Sequence, residues 1–281
     1  MSLNTLSALA ILECKKYIRG KLSAVDFGNQ RIRINMFHEK LKSNLDTSNF
    51  ILKPEYRKIP SARKFMNHIG FIDYDAIDLN NTDRSLIMDL NMDLCKRYGF
   101  RNTYSLVINN GTSEHIFNQS NIFKNMHNLC QINGILLNVL PLGPYLNHGF
   151  YNYNPVLFRD LAYANGYEWK FMWIGNSAGD YQEFDPNGEV NRETKRSRIF
   201  SNNFFNKWHN QERNSEIESF IYGKGRKLGH LNIVTAFSKI SSEAFVLPIQ
   251  GKWIHNIDKL ISDSDILNYL KQPDTFRSFH S

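Results

Sequence analysis

Apolar and polar positions change period several times along this chain, and each change marks an element. Residues 4–20 (NTLSALAILECKKYIRG) carry apolar side chains at helical spacing and close on Gly20, which predicts a first helix. LSAVDFG, 22–28, is a short apolar run ending in an acid and a glycine, the pattern of a buried strand. Residues 30–70 are polar and basic, with helical pieces expected over 36–41 and 61–69 on either side of KPEYRKIP. DYDAIDL (73–79), SLIMDL (85–90) and YSLVIN (104–109) read as the second, third and fourth strands.

A helix over 114–129 would direct Ile116, Phe117, Phe123, Met126 and Leu129 toward a core, with Thr112 or Ser113 capping its start. The Asn133-Gly134 turn leads into the strand ILLNVL. Asn154-Pro155 opens the helix VLFRDLAYAN, which stops at Gly166. Proline at the first helical position and glycine after the last is the usual asymmetry. YEWKFMWIG and LNIVTAFSK are further strands, and EAFVLPIQGKW is a last extended segment. Between the last two long strands lies an insertion, about 176–229, rich in Asn, Arg, Lys, Phe and Trp. It is too long for a turn and too aromatic for a disordered linker, so it reads as a lid or an oligomer contact. QERNSEIESFIYG within it has helical character. No internal repeat is visible.

The 281 residues, 42% of them hydrophobic, suit one large α/β domain, here taken as 1–281 with a core of about 20–175 and 230–250. The net charge of +7 is dispersed, which points to a solvated surface and away from nucleic acid. The short basic pieces KRSR (195–198) and KGRK (224–227) read either as a clamp for an acidic group or as solvated surface. Cys14, Cys95 and Cys130 are far apart and lack any CxxC or Cys/His pairing, so neither a disulfide framework nor a structural zinc site is indicated. A reduced, cytoplasmic setting is the expectation. The LSALAIL run has no basic residues before it, and GILLNVLPLG is far short of a membrane span, so a soluble protein is expected.

The densest tract runs from Tyr104 to Tyr167: strand, helix, strand, polar aromatic loop, helix. In an open α/β sheet, ligands bind in the crevice beyond the carboxyl ends of the parallel strands. Three small or acidic clusters fall at such ends. In Asp26-Phe27-Gly28-Asn29-Gln30, glycine lets backbone approach a ligand, and a following helix would offer free N–H groups. A structural strand-to-helix turn has the same signature. Asp78 ends DYDAID, where a carboxylate can accept both hydroxyls of a ribose or cap the next turn. Asp89-Leu90 follows SLIM, an acceptor and an apolar residue suited to the amino group and face of an adenine, or another strand-ending acid.

With these residues in this order the chain resembles the class I S-adenosylmethionine-dependent methyltransferases, in particular bacterial small-molecule or glycan-associated members with a shortened second helix. The resemblance covers most of 20–175 and a closing pair of strands near 231–250. VDFGNQ stands for the glycine-rich first motif, AIDLN for the ribose-binding acid Asp78, and IMDLN for the adenine-side acid Asp89. SLVINNGTSEHIFN stands for the fourth-strand motif, Asn109 to His115, which borders methionine and methyl group. It implies a Rossmann-like α/β fold with a seven-stranded, mostly parallel sheet whose last strand is antiparallel. Helices cover both faces, preceded by an N-terminal helix and followed by the late insertion. S-adenosylmethionine is the implied cofactor, held by Asp26, Gly28, Asn29, Asp78, Leu79, Asp89, Leu90 and Asn110.

The chain departs from the pattern in keeping only Gly28 of the motif glycines, and extra helices must fill 30–70. Asp78 and Asp89 are too close for an ordinary parallel crossover, so the connection between them is expected to be irregular.

Methyl transfer needs alignment of the nucleophile and removal of a proton where necessary. For an oxygen acceptor the candidate bases are His115, Glu114 and His148, and His148, His115 and Tyr151 are expected to face the acceptor. His148 lies in PLGPYLNHGFYNYNP, whose Tyr145, Phe150, Tyr151 and Tyr153 suit stacking on a sugar or aromatic ring. The bland alternatives are a turn histidine, and a carboxylate complementing a helix N-terminus at Glu114. Some relatives hold a divalent metal with a Glu-x-x-Glu-His segment and a distant histidine. Here Gly111 stands at the first glutamate, so no metal is expected, although His148 would complete a site with Glu114 and His115.

The expected function is methyl transfer to a small-molecule acceptor, anionic or sugar-containing, probed against two alternatives. One is a nucleotide- or NAD-dependent sugar-modifying enzyme, which lacks its GxGxxG and Tyr-x-x-x-Lys here. The other is a non-catalytic methyltransferase-like binding or assembly protein. Oligomerisation stays open.

Overall fold

The computed structural model describes residues 2–34, 39, 43, 61–143, 145, 147–184 and 230–249. Its centre is an eight-stranded sheet built from β2 (Ser23–Phe27), β4 (Asp73–Asp78), β5 (Leu86–Ile87), β6 (Tyr104–Asn110), β7 (Cys130–Gly143), β8 (Glu168–Asn176), β9 (Tyr181–Phe184) and β10 (Leu231–Ser238), in the order β5-β4-β2-β6-β7-β10-β8-β9. β5, β4, β2, β6 and β7 run parallel, while β10 is antiparallel to both its neighbours β7 and β8. Every residue of β2 and β6 is buried. Parallel strands covered on both faces need apolar side chains both ways, which is why SAVDF and YSLVI read as runs without alternation.

Side chains from alternate strand positions enter two cores. Ala24, Leu106, Ile108 and Leu137 meet α1 (Thr5–Lys15) and α2 (Ala62–His68) through Leu6, Ile11, Phe65 and Met66. Val25, Phe27, Val107 and Leu136 meet α3 (Leu94–Tyr98), α4 (Gln119–Leu129) and α5 (Pro155–Ala164) through Leu94, Ile122, Met126 and Phe158. Helices therefore lie on both faces. The α1 start is capped by Asn4, whose side chain accepts from Ser7 N at 3.0 Å, and α5 by Asn154 followed by Pro155.

The sequence expectations need four corrections. Over 114–129 the helix divides: a 3-10 turn (Ser113–His115) gives way to extended backbone at Ile116, and α4 starts only at Gln119, capped by Asn118. The Glu114 carbonyl, which a continuous helix would use internally, instead accepts from Phe150 N at 2.7 Å. Phe117 is consequently 73% exposed rather than in the core. After Gly28 no helix begins; the chain enters β3 (Arg31–Arg33), which pairs in parallel with β1 (Ser2–Asn4). That pairing satisfies backbone which a helix start would have left open.

The segment 241–249 is not a strand. β10 already has a partner on each side, and Val246 is held by the Asn165 side chain, which accepts from its N–H at 2.8 Å and donates to its carbonyl at 2.9 Å. Finally, the start of the insertion adds an eighth strand, β9, hairpinned onto β8. The helical piece at 36–41, QERNSEIESFIYG, KRSR and KGRK lie outside the described residues. Among the described residues no helix is long and apolar enough to cross a membrane, and all three cysteines are free.

Candidate functional site

The sheet order reverses between β2 and β6, with β4 and β5 to one side and β7 to the other. The crevice beyond the carboxyl ends of these strands gathers most of the residues singled out above. Gly28, at φ +90°, turns the chain across the end of β4 and donates its N–H to Ile77 O at 2.7 Å. Asn29 N then donates to Asp78 Oδ2 at 2.8 Å, while Asp78 Oδ1 accepts from Asn80 N and Nδ2 at 2.9 and 3.0 Å. Asp78 is half-buried, with Leu79 exposed beside it. Asp89 is also half-buried; its Oδ1 accepts from Asn91 N and Nδ2, and its own N–H donates to the Tyr98 hydroxyl. Leu90 is buried in the second core.

Two residues sit behind this rim. Asp26 is fully buried on the first-core face, and burial pushes its carboxyl well above the usual carboxylate range. The Tyr74 hydroxyl approaches its Oδ2 at 3.4 Å, and Oδ1 has no partner among the described residues. Asn110 is engaged by the N-terminal segment: its Oδ1 accepts from the Ser7 hydroxyl at 2.8 Å and its Nδ2 donates to Ser2 O at 3.3 Å. Its carbonyl accepts from Gln30 Nε2 at 2.8 Å.

A second group forms past β6 and β7. The Thr112 hydroxyl donates to Phe27 O, tying the end of β6 to that of β2. Glu114 sits in the 3-10 turn with 1% exposure. Its Oε1 lies 3.5 Å from His148 Nε2 and 3.8 Å from His115 Nε2, and the two imidazole rings stand edge to face at 4.9 Å. Burial pushes the Glu114 carboxyl up to about 7, and burial together with the neighbouring His148 pushes His115 down.

His148 arrives there through its own loop. Asn147 takes φ +57°, and Gly149 passes so close that a Cβ would meet Glu114 O at 2.7 Å. Phe150 N and Tyr151 N both donate to that carbonyl, at 2.7 and 3.3 Å. The Tyr151 hydroxyl donates to Phe117 O at 3.0 Å, and the exposed Phe117 and Phe150 rings meet edge to face at 6.1 Å. The Tyr145 ring lies 5.3 Å from His148, its phenol pushed up to about 12 by burial and bonded to Asn232 Oδ1 at 2.9 Å.

Sequence reading named Asn109, Ser113 and Tyr153 but missed that they hold this group in place, and Tyr153, expected to stack on an acceptor, is instead buried. Asn109 Nδ2 donates to Ser113 Oγ and Asn138 Oδ1, and Ser113 N donates back to Asn109 Oδ1. The Tyr153 hydroxyl contacts Ser113 Oγ and Gln119 Oε1, both at 2.8 Å, and Gln119 Nε2 donates to Ser113 O at 2.7 Å. Asparagines inside otherwise apolar strands were the available signal, because a buried amide must find partners.

From β2 the sheet runs through β4 and β5 on one side and through β6, β7, β10, β8 and β9 on the other, with the antiparallel β10 slotted between β7 and β8 and β9 antiparallel at the edge. That arrangement is a Rossmann-like, mostly parallel α/β sheet. No family model matches the chain, and no curated protein matches it. Several solved methyltransferase structures are similar at a distance. An O-methyltransferase from a trans-AT PKS multienzyme of Brevibacillus brevis, in complex with S-adenosyl-L-homocysteine, is 12% identical over 82% of this chain and 70% of its own, with a TM-score of 0.40. The phosphoethanolamine N-methyltransferase 2 of Haemonchus contortus, in complex with S-adenosyl-L-methionine, is 12% identical over 83% of this chain and 52% of its own, with a TM-score of 0.40. An S-adenosylmethionine-dependent methyltransferase from Clostridium acetobutylicum is 10% identical over 83% and 90%, with a TM-score of 0.31. All three are loose likenesses of architecture.

Proposed function

We propose that this chain transfers the methyl group of S-adenosylmethionine to a hydroxyl oxygen of a small-molecule acceptor. The observation that carries the reading is the convergence, at one switch point, of the Gly28 turn, Asp78 and Asp89 with the Glu114, His115 and His148 group. On this reading Gly28 and Asn29 border the cofactor, and Asp78 accepts from its ribose, exchanging the Asn80 side chain for a hydroxyl. Leu79, Asp89 and Leu90 flank the adenine. Asp26 and Asn110 shape the site from behind, through the Tyr74 contact and the tie to Ser7 and Gln30.

The acceptor enters over Tyr151 and Phe150, whose rings suit a sugar or aromatic face. Its oxygen attacks the methyl carbon, the C–S bond breaks with its electrons passing to sulfur, and S-adenosylhomocysteine leaves as a neutral thioether. With no cation present the hydroxyl proton passes to His148 Nε2, the exposed member of the pair with Glu114. A dinucleotide enzyme fits less well, because pyrophosphate binding uses a helix N-terminus directly after the glycine turn and β3 occupies that place.

Calorimetric titration with S-adenosylmethionine and S-adenosylhomocysteine, with NAD as control, tests the reading. Micromolar binding of either, lost in Asp78→Ala, is expected. No binding at millimolar ligand, or tighter binding of NAD, overturns it.

A further inference from the structure

We infer that Glu114, His115 and His148 form a binding site for a first-row divalent transition-metal cation. The site rests on side-chain geometry and stands whether or not the methyl-transfer reading holds. One carboxylate oxygen and two imidazole Nε2 atoms converge, and one ligand atom from each residue lies within 4.8 Å of the others. The Glu114 Oε1 separations of 3.5 and 3.8 Å are too long for a hydrogen bond. They exceed by a few tenths of an ångström the edge of about 3.4 Å for ligand atoms held about 2.1 Å from a common tetrahedral centre, so a small side-chain adjustment would close them on a cation.

The carboxylate is otherwise under-satisfied. Glu114 is 1% exposed, and its Oε2 has no hydrogen-bond partner among the described residues. A buried carboxylate in that condition costs free energy that a cation would recover. Among the described residues, the only basic groups within ion-pair distance of it are the two histidines.

The backbone is built to bring the third residue in. Gly111, at φ +61°, reverses the chain directly after β6, and a Cβ there would touch Glu114 Oε1 at 3.4 Å. Gly149 lets the His148 loop lie directly on Glu114, and two N–H groups fasten it there. Two imidazoles and one carboxylate favour manganese, iron, cobalt, nickel or zinc over magnesium or calcium, which prefer all-oxygen sets. His115 and His148 have 36% and 45% of their side chains exposed. Three protein ligands with an open side is the arrangement of a site that takes an outside oxygen as a further ligand. A cation held there would make a bound hydroxyl more acidic, and in that loaded state the two imidazoles would be ligands, leaving the base role of His148 to the metal-free protein.

The test uses the untagged full chain, stripped with a chelator and titrated with Co²⁺ by visible absorption and with Mn²⁺ by calorimetry. One equivalent is expected to bind at micromolar or tighter affinity, with visible bands showing nitrogen ligation. His148→Ala, His115→Ala and Glu114→Gln should each weaken binding at least tenfold, while His68→Ala, on α2, should not. Near-UV circular dichroism identifies a misfolded variant, and the two histidine variants suffice if Glu114→Gln fails to fold. Binding weaker than millimolar, or binding unchanged in the histidine variants, overturns the inference. S-adenosylmethionine titration of the same apo protein reports separately on the methyl-transfer reading.

Discussion

His127 should make the stability of this fold fall steeply on mild acidification. The residue ends α4 with 3% exposure, between Tyr167 and the segment after β10. Its Nδ1 lies 2.7 Å from the Tyr167 hydroxyl and its Nε2 lies 2.9 Å from Glu243 O, so the neutral ring donates through Nε2 and accepts at Nδ1. The Lys239 ammonium is close by, bonded to the carbonyls of His127 and Cys130 at 2.8 and 3.2 Å. Burial first, and the Lys239 charge second, push the imidazole from 6.5 down to about 4. Between those values the unfolded chain binds a proton that the folded chain refuses. The stabilising contribution is therefore present above pH 6.5 and lost as pH falls toward 4. Each tenfold in proton affinity is worth 1.36 kcal/mol, which gives a loss of about 2 kcal/mol between pH 7.5 and 5 and about 3 kcal/mol by pH 4.

Urea unfolding read by tryptophan fluorescence measures this directly. With a slope of about 3 kcal/mol/M the midpoint should drop by about 0.7 M between pH 7.5 and 5 from this residue alone. Buried carboxyls such as Asp26 act in the opposite direction, so the quantity to compare is the difference between wild type and His127→Gln, which keeps a donor and an acceptor but does not titrate. The substitution itself should cost about 1–2 kcal/mol at pH 7.5. Wild-type and variant curves that run parallel from pH 7.5 to 5 would refute the reasoning.

Other substitutions probe the crevice. Gly149→Ala should displace the His148 loop, because the new Cβ would stand 2.7 Å from Glu114 O; methyl transfer should fall at least tenfold with cofactor affinity unchanged, and equal turnover would count against the placement of His148. Thr112→Val removes the hydroxyl that joins β6 to Phe27 O and should cost about 1–3 kcal/mol in denaturant unfolding. Asp26→Asn should leave stability at pH 7 within about 1 kcal/mol of wild type or raise it, because the native carboxyl is held neutral by burial; a loss of several kcal/mol would show that its charge is used. Phe117→Ser should leave unfolding within about 0.5 kcal/mol, since that ring lies outside the core.

The regular elements were legible where burial is two-sided or the caps are local. SAVDF, YSLVIN and LNIVTAFS are apolar runs of strand length, and Asn154-Pro155 with Gly166 brackets α5. Local signals misled where a distant partner decided the outcome. Glu114 looked like the first turn of a long helix, yet its carbonyl belongs to Phe150, 36 residues on. Gly28 looked like the start of a helix, yet the chain after it pairs with residues at the N-terminus. EAFVLPIQ looked extended enough for a strand, but β7 and β8 had taken both edges of β10.

By itself, then, the sequence determined the α/β class, the parallel run, the acids at the strand ends and the aromatic loop, because periodicity and turn chemistry act over a few residues. It also supplied Glu114, His115 and His148 as candidates, with His148 able to complete a site with the other two. Only the tertiary structure decided that one carboxylate oxygen faces both imidazoles, that Asp26 lies buried rather than at the rim, and that Asn110 is engaged by the N-terminus. Those facts depend on contacts between residues 34 and more than 100 positions apart, and on which strand lies beside which. Such contacts leave no trace in local spacing, since the free energy that selects them comes from burying whole faces of the sheet together.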